Sequence, residues 1–72
     1  MPMSGLELIH ALRRLATKRN WPIEERSGKG AHLVVKLNGR RTVISQHRGD
    51  LATGTQSAIL KQLGLTEQDL EG

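Results

Sequence analysis

Apolar residues recur at helical spacing in the first quarter of the chain. Five of them share one face: Leu8, Ile9, Leu12, Leu15 and Ala16. This spacing predicts an amphipathic helix over about residues 5–19. Ser4 and Glu7 stand at the spacing of a capping box, in which each side chain accepts from the other residue's backbone N–H. Asn20 is predicted to end the helix, because asparagine tolerates the left-handed conformation of a C-cap.

Alternating and β-branched segments follow and predict strands. Residues 21–26 alternate weakly, and Pro22 cannot donate to a ladder, so this segment is predicted to be an edge strand. Residues 32–37 and 40–45 are predicted strands joined by Asn38-Gly39. Asn-Gly is typical of a tight hairpin, because a type I′ turn needs positive φ at both central residues.

A second helix is predicted from residue 53 to about residue 63. Thr53 and Gln56 have capping-box spacing, and Gly64 is a natural C-cap. Its inner face is expected to carry Ile59, Leu60 and Leu63. Residues 66–72 are expected either to form one more turn or to fray. The predicted fold is therefore a single α+β domain over residues 1–72, with the order α-β-β-β-α and two helices on one face of a three-stranded antiparallel sheet.

The Asn-Gly turn also fixes which residues of the hairpin share a face, because directly opposed residues point the same way and the faces alternate. One face is apolar and is expected to lie under the helices; it carries Leu33, Val35, Leu37, Thr42 and Ile44. The other face, here called the open face, carries His32, Val34, Lys36, Arg41, Val43 and Ser45. The open face is expected to be accessible and cationic.

The excess of basic residues restricts the classes of function that fit this chain. Eleven Lys and Arg residues against seven Asp and Glu give a net charge of +4 and a pI near 10.4. In a domain this small, such an excess is typical of polyanion binders, although it also serves solubility. Trp21 is the only aromatic residue, which argues against base recognition on an aromatic platform.

The chain has no cysteine, no long apolar run and no signal-peptide pattern, so we expect a soluble cytoplasmic protein without a membrane anchor.

Candidate RNA-binding residues cluster on the open face. Lys36 is expected to lie opposite Arg41, and directly opposed like charges destabilise a sheet. A phosphate between them would remove the repulsion; alternatively, both long side chains extend into solvent. Lys29 and Arg48 are further candidate RNA-binding residues.

The histidines suggest acid–base chemistry. His32 opens the first strand of the hairpin, and His47 falls on the same side if the strand direction persists. Cleavage of RNA through its own 2′-hydroxyl needs a base for that hydroxyl and an acid for the leaving 5′-oxygen, and histidine titrates near neutral pH. His32 could equally be a surface or phosphate-contacting residue. No metal site is predicted, because His10, His32 and His47 lack ligand spacing.

A family resemblance adds to this interpretation. Residues 30–35, Gly-Ala-His-Leu-Val-Val, resemble the Gly-Ser-His signature of HicA-type mRNA-interferase toxins. His47 stands where the family often has Pro-x-His. Residues 57–65, Ser-Ala-Ile-Leu-Lys-Gln-Leu-Gly-Leu, are similar to the end of the family's pattern kGTlrsILkqaGL, its most specific part. The first helix and Trp21 also fit, so the resemblance covers most of the chain.

The resemblance implies a fold like that of a double-stranded-RNA-binding domain and metal-independent cleavage of mRNA, without a cofactor. It implies His32 as the catalytic residue, leaving His47 as a candidate second group, and a HicB-type antitoxin as partner. Ala31 replaces the family's usual serine, Ser45 replaces its usual proline, and residues 21–32 form a longer stretch than is typical. The alternatives are a non-catalytic RNA-binding module of the same fold and a module that binds only protein.

Overall fold

A computed structural model of the chain describes residues 3–46, residue 49 and residues 51–71. The elements in chain order are α1 (Gly5–Arg19), β1 (Ile23–Ser27), β2 (His32–Leu37), β3 (Arg40–Ser45), α2 (Thr53–Leu63) and α3 (Glu67–Glu71). The α+β order predicted from the pattern is confirmed. Among the described residues, no helix is long and apolar enough to cross a membrane.

The three strands form one antiparallel sheet in the order β1-β2-β3. The β2–β3 register is the predicted one, with Leu37 opposite Arg40 across the turn and His32 opposite Ser45 at the far end. Asn38 and Gly39 adopt positive φ angles of 51° and 83°, as a type I′ turn requires. β1 is the predicted edge strand.

The capping box at the start of α1 is confirmed. The Glu7 N–H donates to Ser4 Oγ at 3.1 Å, and the Ser4 N–H donates to Glu7 Oε1 at 3.2 Å. At the other end, Asn20 has φ 57° and ψ 43°, and its N–H reaches the carbonyls of Ala16 and Thr17. Local sequence therefore accounts for both ends of this helix.

Both long helices pack against the same face of the sheet. The five predicted inward residues of β2 and β3 are buried, and the core that they form with the helices contains Leu8, Ile9, Leu12, Leu15, Leu33, Val35, Leu37, Ile44, Ile59, Leu60 and Leu63. Thr42 is a polar member of this layer, and its hydroxyl donates to Gln62 Oε1 of α2 at 2.5 Å. No helix within the described part of the chain covers the opposite face of the sheet.

The predicted capping box at the start of α2 is wrong. Ala52, not Thr53, is the N-cap residue, and no side chain caps the helix. Gln56 is buried with 4% exposure. Its side chain therefore packs in the interior instead of accepting a hydrogen bond from the Thr53 N–H. The C-terminal prediction is confirmed: Gly64 is left-handed with φ 71°.

The tail after α2 forms the additional turn. The Thr66 N–H and hydroxyl both reach Asp69 Oδ2, and Arg19 of α1 donates to Asp69 Oδ1 at 2.7 Å. The backbone hydrogen bond from Thr66, followed by the Arg19 hydrogen bond, holds the pKa of Asp69 below its ordinary value. Leu70 is half-buried and packs on the core. α3 is therefore tied to the C-terminal end of α1.

The start of α1 lies very close to the end of β3. A Cβ atom built on Gly5 would lie 1.6 Å from the backbone oxygen of Ser45, so only glycine fits at this helical position. The adjacent Met3 carbonyl accepts from the Leu51 N–H at 2.7 Å. These contacts place the helix terminus against the end of the sheet that carries His32 and Ser45.

Candidate nucleic-acid interface

His32 is the first residue of β2, and its side chain is exposed on the open face. Four residues, 28–31, connect β1 to β2. The Gly28 N–H donates to the His32 carbonyl at 2.9 Å, and the His32 N–H donates to the Lys29 carbonyl at 3.3 Å. Gly30 supplies the positive φ of 62° within this loop. The loop therefore anchors the backbone of His32 and leaves its imidazole accessible.

The β3 side supports the same end of β2. The Gln46 N–H donates to the Ala31 carbonyl at 2.7 Å, which extends the pairing one residue beyond His32 and Ser45. Side chains so opposed have Cβ atoms about 4.5–5.5 Å apart. Ser45 Oγ is buried and has no hydrogen-bond partner among the described residues. The backbone around His32 is therefore hydrogen-bonded to a neighbouring segment on each side of β2.

A charged row crosses the sheet nearer the Asn-Gly turn. Lys36 lies opposite Arg41 on one side, as predicted, and opposite Glu24 on the other. All three side chains are exposed. Glu24 partly offsets the repulsion between the two cations, so a phosphate between them is less necessary than the hairpin alone suggested.

A mixed row lies between the charged row and His32. Arg26 of β1, Val34 of β2 and Val43 of β3 are opposed in register. Val34 is half-buried, whereas Val43 is 47% exposed, which is high for a large apolar residue. The open face therefore has an apolar strip that connects its charged row to its histidine.

Sequence reasoning missed the two residues that β1 adds to the open face, Glu24 and Arg26. Strand alternation identifies them once β1 is paired with β2. The pairing itself could not be predicted, because a four-residue loop containing two glycines is compatible with several registers, unlike the Asn-Gly turn.

The two adjacent glutamates of β1 have opposite environments. Glu25 points toward α1, where Arg13 donates to it through Nε at 2.7 Å and through a terminal nitrogen at 2.5 Å. This hydrogen bonding lowers the pKa of Glu25. Glu24, on the open face, makes no hydrogen bond or ion pair with any residue that the structure describes.

The remaining predicted site residues divide into two groups. Lys29 is exposed in the loop that precedes His32. His47 and Arg48 lie outside the described residues, so their predicted roles stay predictions. Within the described ranges, no cluster of three or more His, Cys, Asp or Glu side chains could hold a metal ion.

These groups can support phosphoryl chemistry on a polyanion. An accessible imidazole can transfer protons near neutral pH. Exposed lysine and arginine side chains can bind phosphate oxygens. The open face presents both kinds of group to a bound polyanion.

Known proteins match most of this sequence. A family model for the HicA toxin of bacterial toxin–antitoxin systems matches residues 7–65. A protein of Pseudomonas fluorescens (strain Pf0-1), named "Probable mRNA interferase HicA", is 41% identical over 46 residues, which are 62% of this chain and 77% of the relative. The family match includes all but the first two residues of α1, the whole sheet and α2.

Proposed function

Since the chain belongs to the HicA toxin family, we propose that it is the toxin of a toxin–antitoxin pair and an endoribonuclease that cleaves mRNA, with His32 as its catalytic residue. The relative named as an mRNA interferase supports the activity. The observation that carries the residue assignment is the exposure of His32 on the uncovered face that also presents Lys36 and Arg41.

The proposed reaction is transesterification at phosphorus. The 2′-oxygen of the ribose attacks the adjacent phosphate, the bond to the 5′-oxygen breaks, and the products are a 2′,3′-cyclic phosphate and a 5′-hydroxyl. One proton leaves the 2′-hydroxyl and one reaches the 5′-oxygen. His32 serves one of these transfers, and His47 is the candidate for the other.

The two cations of the charged row bind the RNA strand at a distance from the reacting group. Lys36 is four residues from His32 along β2, which is roughly 13 Å at the rise of an extended strand. Lys36 and Arg41 therefore bind flanking phosphates rather than the phosphate that is cleaved. Lys29, in the loop next to His32, and Arg48 complete the proposed RNA contacts.

A HicB-type antitoxin is the proposed partner. An open face that binds RNA through exposed cations and an apolar strip offers a protein inhibitor the same contacts, so the antitoxin would act by covering it. We place the toxin in the cytoplasm, where mRNA is available. An adjacent reading frame that encodes a HicB-like protein would support this assignment.

Cleavage is expected to survive chelation. The proposed chemistry uses side-chain proton transfer and cationic side chains, so no step requires a metal ion. The test is the initial rate of cleavage of a labelled RNA with and without excess EDTA, after the protein has been passed over a chelating resin. A rate that disappears with EDTA and returns with added Mg²⁺ would contradict the metal-independent mechanism.

Removal of either cation of the charged row should weaken RNA binding. Lys36→Ala and Arg41→Ala are each expected to lower affinity and to reduce the slope of log affinity against log salt by about 1, because each removes one phosphate contact. Fluorescence anisotropy across a salt series measures this slope. Lys61→Ala is the control, since Lys61 is exposed on α2 in the helical layer. If Lys36→Ala and Arg41→Ala had the same slope of log affinity against log salt as the Lys61→Ala control, the open face would not be the RNA-binding surface.

The rival function is RNA binding without cleavage. It predicts the same salt dependence, so affinity measurements cannot separate the two. Incubation of the purified protein with RNA, followed by analysis of the product ends, separates them. A 2′,3′-cyclic phosphate supports the nuclease, whereas intact RNA under conditions of saturated binding supports the rival.

A further inference from the structure

We propose that Glu24 recognises a nucleobase carrying an amino group, with guanine the best ligand, at a position beside the cleaved bond. This inference rests on the proposed function, because it assigns base selectivity to the same RNA-binding face. It concerns a residue that neither the family signature nor the hairpin pattern singled out.

The site is a depression on the open face. The side chains of Glu24, Arg26, Val34, Lys36 and Arg41 line it on this face. The half-buried Val34 provides an apolar surface, while exposed charged side chains surround it. A planar base can lie against the valine and stack on the guanidinium of Arg26, because arginine guanidinium planes can stack on unstacked RNA bases.

The carboxylate of Glu24 is unexpected on a face that is proposed to bind phosphates. A negative charge on a face that binds phosphates lowers affinity through repulsion, unless it accepts hydrogen bonds from the ligand. Nucleobases offer such donors on their Watson–Crick edges, and single-stranded RNA exposes those edges. The charge is available for a ligand because Glu24 has no partner among the described residues, whereas Glu25 is held by Arg13.

Guanine matches a carboxylate best. Its N1–H and N2–H point in parallel and can donate to the two carboxylate oxygens, whereas adenine and cytosine offer one amino group beside an acceptor. The N3–H of uracil lies between two carbonyl oxygens that would repel the carboxylate. The row of Glu24 lies roughly 13 Å from His32, so the recognised base flanks the cut.

The alternative explanation is that Glu24 only offsets the charge of Lys36, which lies opposite it. The two explanations differ in base dependence. If Glu24 only offsets charge, its removal would raise the affinity for every RNA by the same factor. If Glu24 hydrogen-bonds to a base, its removal would abolish a preference for guanine.

The test measures binding in the His32→Ala protein, so that the RNA stays intact. One guanosine is scanned through an oligouridine, and the best position is repeated with inosine, which lacks only the N2 amino group. We expect guanosine to bind about tenfold more tightly than inosine at that position, in line with one good carboxylate–base pair. Glu24→Ala should reduce this ratio to within about twofold.

Glu25→Ala is the control because it removes the same charge from the neighbouring position of the same strand. It should retain the guanosine preference, and thermal melting checks that both variants are folded. Equal ratios in the Glu24→Ala protein and its parent, or no guanosine preference at any position, would overturn the inference. Failure of the proposed function would look different: the protein with His32 intact would leave RNA uncut, whatever its base preference.

Discussion

Replacement of His32 by alanine should abolish RNA cleavage while leaving the fold and RNA affinity nearly unchanged. The side chain is exposed, and the hydrogen bonds that anchor this position come from its backbone N–H and carbonyl, which alanine retains. Loss of a general acid or base typically lowers the rate by about 10²- to 10⁴-fold. The affinity should persist because Lys36 and Arg41, the cations proposed to bind phosphates, lie elsewhere on the open face.

The measurement compares single-turnover cleavage of a labelled RNA by the wild type and the variant, alongside anisotropy and thermal melting. Growth arrest on induced expression should disappear in parallel. His10→Ala is the matched control, because His10 is an exposed histidine on α1, which packs on the opposite side of the sheet. A His32→Ala protein that cuts RNA at the wild-type rate would refute the catalytic assignment. If this active variant also melted at a much lower temperature than the wild type, His32 would have a structural role instead.

The second large effect is expected from Gly5→Ala, which should destabilise the protein severely. Alanine normally stabilises a helix relative to glycine. Here the added Cβ would lie 1.6 Å from the Ser45 carbonyl oxygen, a backbone atom that cannot rotate away. Overpacking of this kind costs about 1–3 kcal/mol, and in a domain of this size each 1 kcal/mol lowers Tm by about 4–8 °C.

The control for this prediction is Gly54→Ala, in the first turn of α2. A Cβ on Gly54 meets no atom within 4 Å, so this change should leave the free energy of unfolding unchanged or raise it by up to about 1 kcal/mol. Urea denaturation followed by circular dichroism measures both variants. If Gly5→Ala were as stable as Gly54→Ala, the close approach of α1 to β3 would be disproved.

The two predictions concern the same end of the sheet. Ser45 contacts Gly5 through its backbone oxygen and stands opposite His32 in the ladder. Moving the start of α1 away from β3 would therefore disturb the strand that supports His32, the proposed catalytic residue. A Gly5→Ala protein that remains folded at low temperature is expected to cut RNA more slowly than the wild type.

Features with local causes were predictable from the chain alone. The helical stripe and its Ser4–Glu7 box defined α1, and Asn38-Gly39 set the pairing of β2 with β3 because few backbone conformations satisfy a two-residue turn. That register in turn separated a buried face from a face bearing His32, Lys36 and Arg41. The placement of the candidate catalytic residue thus followed from alternation and a single turn.

Features that depend on contacts between distant segments required the three-dimensional structure. The start of α2 was misassigned because burial of Gln56 overrides its capping potential. The role of Gly5 depends on Ser45, 40 residues away along the chain, and the place of Glu24 on the open face depends on a flexible loop that permits several registers. Short-range rules describe bonds within a turn or a helix end, whereas packing determines which distant atoms meet and how closely.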